Sequence, residues 1–571
     1  MNSNNRQSIN SLNRLKNSFP PSKPSKIKSL SANPLMKFPP ESESLLVDSN
    51  YRADQIGPRI YVKDATLWSQ DQSVQKDVAA FLGWVDAPLR TNAQAITAFA
   101  QEIKAAGFTD AVVLGMGGSS LSSLMFAQAF PNQGGLKLHV LDSTIPGDVL
   151  RIRNTVPLAT TLIIVASKSG STVEPLAFEE FFYQQLQSEL GNQASQNIIA
   201  ITDPGSQMEA RATERNYRRI FLGEPEVGGR FSVFTVFGMV PAALAGLPIS
   251  EMLQEAIQLH NRQDQNAVNL GIALAEFAQA GKDKITFLAP PHLEGIALWA
   301  EQLIAESTGK HGLGVLPLAT EPLGTPESYG PDRIFFQINA EHPELHPSFQ
   351  TSITTPAALA HLLYTLEIAT AAAGAVLQVN PFDQPNVQAA KIIAQRELQK
   401  IQETKELPDL SFETNSEPLH LQGATGQSVG HALANFIHNH NPGDQVAFLT
   451  FLPETDETTV LIQTLRAAIR DRLNLATSFG YGPRYLHSTG QYHKGGPNNG
   501  LYIVLTAQDA EDPEIPGMGV TFGQLKMAQA LGDIGALRDN DRRVVHIHIT
   551  TDDISSALAQ LAAELHIAVA P

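Results

Sequence analysis

The sequence predicts an α/β protein, and two observations carry that reading. From about residue 75, short apolar β-branched runs alternate with amphipathic helical stretches, and the turns from strand to helix are rich in Gly and Ser. Parallel strands covered by helices produce this alternation. In order, AVVLG at 111–115 reads as a strand, and MGGSS turns it into an apolar helix from Leu121 to Phe130. TLIIVA at 161–166 is a second strand, and SKSGST turns it into a helix beginning near Val173. KITFLAP at 284–290 opens a further unit with a helix from about Glu294 to Ser307. A helix over Pro356 to Ala373, the apolar run AVLQVN, and a helix from about Val387 to Gln399 follow. A polar stretch near 402–420 is the best candidate linker, and VAFLTF, LYIVLT and VVHIHI are strand candidates beyond it.

A chain of 571 residues is long for one hydrophobic core and predicts two to four domains. With 43% hydrophobic and 17% charged residues it has the apolar material to fold. Forty Lys+Arg against 57 Asp+Glu leave a net charge of -17, which argues against nucleic acid or an anionic membrane as partner. A small anionic ligand in a local pocket is compatible with that charge. The absence of Cys removes disulfides, thiolate metal sites and thiol nucleophiles. No run of eighteen consecutive apolar residues and no apolar N-terminal segment is present, so the expectation is a cytoplasmic protein.

Residues 1–40 hold Arg6, Arg14, Lys16, Lys23, Lys26, Lys28 and Lys37 and no acid, so taking these seven charges from -17 leaves the remainder at about -24. Residues 1–45 are expected to be a disordered basic tail or linker, with an organelle transit peptide as the sharper alternative.

Gly115-Met116-Gly117-Gly118-Ser119-Ser120 and Ser167-Lys168-Ser169-Gly170-Ser171-Thr172 both follow strands and open helices. At that place backbone N–H groups and the helix dipole favour an anion, and the hydroxyls add donors that suit a phosphate monoester. The first loop has Ser where a dinucleotide fingerprint needs its third Gly, and no nucleoside-triphosphate P-loop is found. Gln302, Glu306 and Lys310 recur at spacings of four, which places them on one helical face; alone, that reads as a surface ion pair at a helix end stopped by Gly309.

The Ser-Lys-Ser-Gly-Ser-Thr loop followed by Glu174 resembles the phosphate loop of sugar isomerase (SIS) domains. Three further segments resemble signatures of the phosphoglucose isomerase family: Glu306-Ser-Thr-Gly-Lys, Gly228-Gly229-Arg230-Phe231-Ser232, and Phe382-Asp383-Gln384 with Lys391 seven residues on. The family's ring-opening His segment, normally about twenty residues beyond the Glu, is displaced to Leu486-His487-Ser488-Thr489-Gly490-Gln491. That permuted order is similar to the isomerase part of bifunctional transaldolase/phosphoglucose isomerases, and no transaldolase activity is assigned.

The resemblance implies two SIS-type doubly wound parallel-sheet domains, at 46–250 and 251–405, and a C-terminal α/β domain at 406–571. It implies interconversion of glucose 6-phosphate and fructose 6-phosphate without metal or cofactor, in a homodimer. Glu306 is the implied proton-shuttling base, Arg230 the cation for the enediolate, and His487 and Lys391 the ring-opening groups. Ser119, Ser167, Ser169 and Thr172 are to hold the phosphate with Lys168 beside them, and Gln302 and Gln384 to position the sugar. His493, His342 and His346 are weaker alternatives to His487. Dual phosphoglucose/phosphomannose isomerisation and a non-catalytic phosphosugar-binding protein are the rival readings.

Overall fold

Three sheets, each with a parallel core, organise the chain. The computed structural model describes residues 36–404, 406–407 and 410–568, and the readings made for residues 1–35 lie outside them. The expected tail ends earlier than residue 45, because β1 (Met36–Lys37) is paired and the Ser42 hydroxyl is buried and donates to the Ser348 carbonyl at 2.7 Å. A basic composition is misleading here, since two backbone pairings and one buried hydroxyl suffice to fix those residues.

The first sheet contains β2 (Asp110–Gly115), β3 (Lys137–Leu141), β4 (Thr161–Ala166), β5 (Ile198–Thr202) and β6 (Arg219–Leu222), all parallel, in the order β3-β2-β4-β5-β6. β4 is buried along its whole length, which is why it reads as a continuous apolar run without alternation. α1 (Leu121–Ala129) follows β2, and α2 (Val173–Leu190) follows β4. Strand connections leave β2 and β4 in opposite directions, so the crevice between their C-terminal ends is the expected place for a ligand.

α3 (Ile249–Arg262) and α4 (Gln265–Gln279) lead to the second sheet. It contains β7 (Lys284–Leu288), β8 (Leu316–Leu318), β9 (Arg333–Ile338) and β10 (Phe349–Thr351) in the order β1-β10-β9-β7-β8, with β1 alone antiparallel. α5 (Glu294–Thr308) joins β7 to β8, and α6 (Pro356–Leu377) lies against α3, α4 and α5. By length and composition α6 could cross a membrane, yet its apolar stretch is wholly buried inside the protein. The helix expected to end at Ala373 runs into the AVLQVN segment. Ala375–Leu377 finish α6, and Gln378 caps it in the left-handed conformation, because an Ala- and Leu-rich segment buried on every side continues as helix.

α7 (Val387–Thr404) outruns its expected end, and β11 (Thr414–Ser416) and β12 (Leu419–Gln422) already belong to the third sheet, so the connecting segment is far shorter than 402–420. The third sheet adds β13 (Gln445–Phe451), β14 (Ala476–Tyr481), β15 (Gly500–Ala507) and β18 (Arg543–Ile549) in the order β11-β12-β18-β15-β13-β14; β16 (Glu514–Ile515) and β17 (Val520–Thr521) form a separate hairpin. α8 (Phe522–Asp539) opens with a capping box in which Thr521 and Gln524 satisfy each other's backbone N–H groups. α7 packs along α8, so the elements expected on either side of residue 405 are in contact, and the described residues from Met36 onward form one compact unit.

Candidate active site

Parallel pairing of β2 with β4, with Gly115 opposite Ala166, sets the Gly115–Ser120 and Ser167–Thr172 loops side by side at the switch point of the first sheet. Ser119 and Ser167 are buried, and the Ser167 hydroxyl has no hydrogen-bond partner among the described residues. The Thr172 side chain makes no cap bond to α2 although it stands at the N-cap, and Ser169 accepts from the Ser171 N–H at 3.3 Å. A buried hydroxyl without a partner costs free energy, and a phosphate oxygen would relieve that cost. Lys168 does not offer a free charge to this crevice: its ammonium donates to Asp203 Oδ1 at 2.8 Å and to the Glu224 carbonyl at 3.1 Å.

Gly117 joins the loop to the rest of the site. Its φ of +55° is one that a side chain adopts poorly, and a Cβ there would lie 2.8 Å from Gln302 Nε2 and 2.9 Å from the His487 carbonyl oxygen. Gln302 donates from Nε2 to that carbonyl at 2.7 Å and to Glu306 Oε2 at 3.1 Å. The first phosphate loop, α5 and the His487 segment therefore meet around one amide.

Glu306 and Gln302 share a face of α5, and both are buried, so the surface ion pair that spacing alone suggests does not exist. Lys310 is off the helix, beyond Gly309. Its buried ammonium lies 3.0 Å from Asp383 Oδ1 and donates to the carbonyls of Ser307 and Asn380. Burial, with the Arg230 charge adding, pushes Lys310 down to about 7, against the opposing pull of Asp383. Gly309 ends α5 where a Cβ would lie 2.5 Å from the Tyr492 Cα, so the backbone of the third region closes on the end of the Glu306 helix.

Arg230, only 4% exposed, sits with its Nη1 3.4 Å from Glu306 Oε1. It donates from Nε to Ser307 Oγ at 2.8 Å, from Nη1 to Gln384 Oε1 at 3.1 Å, and from Nη2 to the carbonyls of Pro381 and Asp383 at 2.6 and 2.9 Å. A buried ion pair is tolerable only when its remaining donors are satisfied, and the planar fork achieves that here. Behind it, the rings of Trp84 and Phe231 lie 4.9 Å apart and those of Phe231 and Phe382 5.3 Å apart, locking together the two segments that carry Arg230 and Gln384.

His487 faces Glu174, with Nε2 3.0 Å from Oε1, and Gln529 donates to the same oxygen at 2.8 Å. Burial alone would raise the Glu174 carboxyl; the His487 ring and its hydrogen bond, with a smaller pull from the Lys391 charge, hold it below the ordinary carboxylate range. Lys391 itself is exposed on α7. Glu174 appears in the sequence beside the phosphate loop, but its role as the partner of His487, 313 residues away, has no local signal. His493 is buried between the Tyr485 and Tyr502 rings, and His342 and His346 lie between β9 and β10. Among the described residues no group of His, Asp and Glu is arranged to hold a metal ion.

A carboxylate beside a guanidinium, a His–Glu pair across the same crevice and a hydroxyl-lined anion cradle can open a sugar ring and move a proton between neighbouring carbons. Fold and side chains together suit the chemistry of a phosphosugar isomerase. Residues 70–310 match the family model for phosphoglucose isomerase. The glucose-6-phosphate isomerase of Rubrobacter xylanophilus is 28% identical over 372 residues, which are 53% of this chain and 86% of that one. The Clostridioides difficile enzyme of the same name is 28% identical over 394 residues, 54% of this chain and 85% of its own. A hypothetical protein of Thermus thermophilus shares the fold, with a TM-score of 0.54 at 23% identity over 64% of this chain and all of its own. Over residues 70–310 the chain is similar to the phosphoglucose isomerase family. The family match ends at residue 310, ahead of the Lys391 and His487 segments.

Proposed function

We propose that the protein interconverts glucose 6-phosphate and fructose 6-phosphate through a cis-enediol. The observation that carries this reading is the buried Glu306–Arg230 pair, joined through Gln302 to the backbone of His487. The two hydroxyl-rich loops would hold the phosphate, and Lys168 would brace them through Asp203. His487, oriented by Glu174 and with Lys391 nearby, would open the ring. Glu306 would then carry the proton between carbons 2 and 1, while Arg230 stabilises the enediolate oxygen and Gln302 and Gln384 position the chain of the sugar. Coupling fructose 6-phosphate turnover to glucose-6-phosphate dehydrogenase tests the reaction; we expect activity that persists in EDTA, and its absence would end the proposal.

His487→Ala is expected to lower kcat on cyclic fructose 6-phosphate by about 10²-fold, within the range of a general acid or base. On an open-chain analogue such as 5-deoxyfructose 6-phosphate, which cannot close its ring, the loss should be only a few-fold; equal losses would remove His487 from ring opening.

One chain carries both Glu306 and His487, so the homodimer implied by the resemblance is not required to complete a site. We expect activity per chain to hold constant through about a thousandfold dilution across any dimer dissociation. A fall in proportion to dimer loss would show that a second copy contributes. We place the reaction in the cytoplasm; uptake of the full chain by isolated organelles with removal of its basic N-terminal residues would reverse that assignment.

A further inference from the structure

The His487 segment is tied to the first phosphate loop by a second, buried route that the reaction chemistry does not call on. Arg484 begins the 3-10 turn that ends at His487, three residues later. Its guanidinium grips Asp142 with two hydrogen bonds, Nε to Oδ2 at 2.9 Å and Nη2 to Oδ1 at 2.8 Å. Asp142 is only 1% exposed, stands just past the end of β3, and takes a third contact from Ser120 Oγ at 3.0 Å. That hydroxyl belongs to the phosphate loop and also lies 3.1 Å from the Gly117 carbonyl. The outer side of Arg484 bonds Glu454 at 3.2 and 2.8 Å, and the Glu454 N–H donates to Asp148 Oδ1 at 3.1 Å.

A second wire runs parallel to the first. Thr144, two residues after Asp142, donates to Gln529 Oε1 at 2.7 Å, and Gln529 Nε2 donates to the Glu174 oxygen that faces His487. Glu174 is itself two residues beyond Thr172, the end of the other phosphate loop. His487 is thus anchored to one phosphate loop through Arg484, Asp142 and Ser120, and to the other through Glu174.

Two parallel charge-assisted bonds between a rigid guanidinium and a buried carboxylate fix orientation as well as distance. From this geometry we propose that Arg484 and Asp142 are positioning residues for ring opening, coupling the ordering of the first phosphate loop to the placement of the His487 ring. The pair touches no substrate atom; it acts through the turn it holds. Proton transfer by Glu306 depends on α5 and Arg230, which meet this route only through the Gln302 bond to the His487 carbonyl, so ring opening should suffer more than proton transfer when the route is broken. The inference rests on the isomerase reading above.

The test compares fructose 6-phosphate, which must open, with 5-deoxyfructose 6-phosphate, which is already open, using solvent deuterium exchange at carbon 1 as a common readout. Asp142→Asn removes the charge and keeps the shape; kcat on the cyclic substrate should fall about 10- to 100-fold, while exchange into the open-chain analogue falls less than about threefold. Arg484→Lys keeps the charge but loses the two parallel bonds to Asp142 and should shift the ratio in the same direction by a smaller factor, so the inference is still tested if Asp142→Asn does not fold. Equal losses on both substrates in the folded variants would make the pair merely structural and overturn it. A wild-type protein inactive on both substrates would defeat the isomerase reading itself, which separates the two failures.

Discussion

Glu306→Gln is expected to lower kcat by about 10³-fold, a barrier increase of about 4 kcal/mol, while KM for fructose 6-phosphate changes little. The amide keeps the size of the carboxylate and can still meet Gln302, which sits 3.1 Å away, so the crevice keeps its shape. What disappears is the carboxylate that we propose accepts the proton from the carbon next to the carbonyl. Deuterium from solvent should therefore stop entering carbons 1 and 2. Retention of that exchange in the variant would assign the base to another residue.

Arg230→Lys is the second large effect. The substitution keeps a positive charge beside Glu306 but loses the fork that reaches Ser307, Gln384 and the carbonyls of Pro381 and Asp383 at once. A compact ammonium cannot make those bonds in their present directions, and the developing enediolate loses a preorganised cation. The expected loss is about 10²-fold in kcat, with a lowered melting temperature because the Pro381–Gln384 segment is no longer pinned. Near-native kcat in Arg230→Lys would show that charge alone suffices and that the fork is structural.

Much of the site is legible in the sequence because its signals are local. A β-branched run followed by Gly and Ser marks both candidate phosphate loops, and the segments around Arg230, Glu306 and Gln384 each carry a short pattern. The structure brings these segments together around Gln302 and Arg230. What the sequence does not carry is pairing at long range. Glu174 finds His487 across 313 residues, and Asp142 finds Arg484 across 342, and nothing in either segment specifies the other. Lys310 misleads for a different reason: the period of four extends past Gly309, where the helix has already stopped. Lys168 is expected beside the phosphate loop, and its pairing with Asp203, 35 residues on, has no local signal either.

α6 has a consequence for how the chain is made. A 22-residue helix that is apolar on all sides would be a hazard if it waited in water for its neighbours. Its neighbours α3, α4 and α5 all precede it in the sequence. During synthesis from the N-terminus, they leave the ribosome first, so this long apolar helix emerges onto surfaces already available to receive it. A circular permutant that begins at α6 would reverse this order of emergence and should accumulate as insoluble protein, although its finished fold has the same contacts.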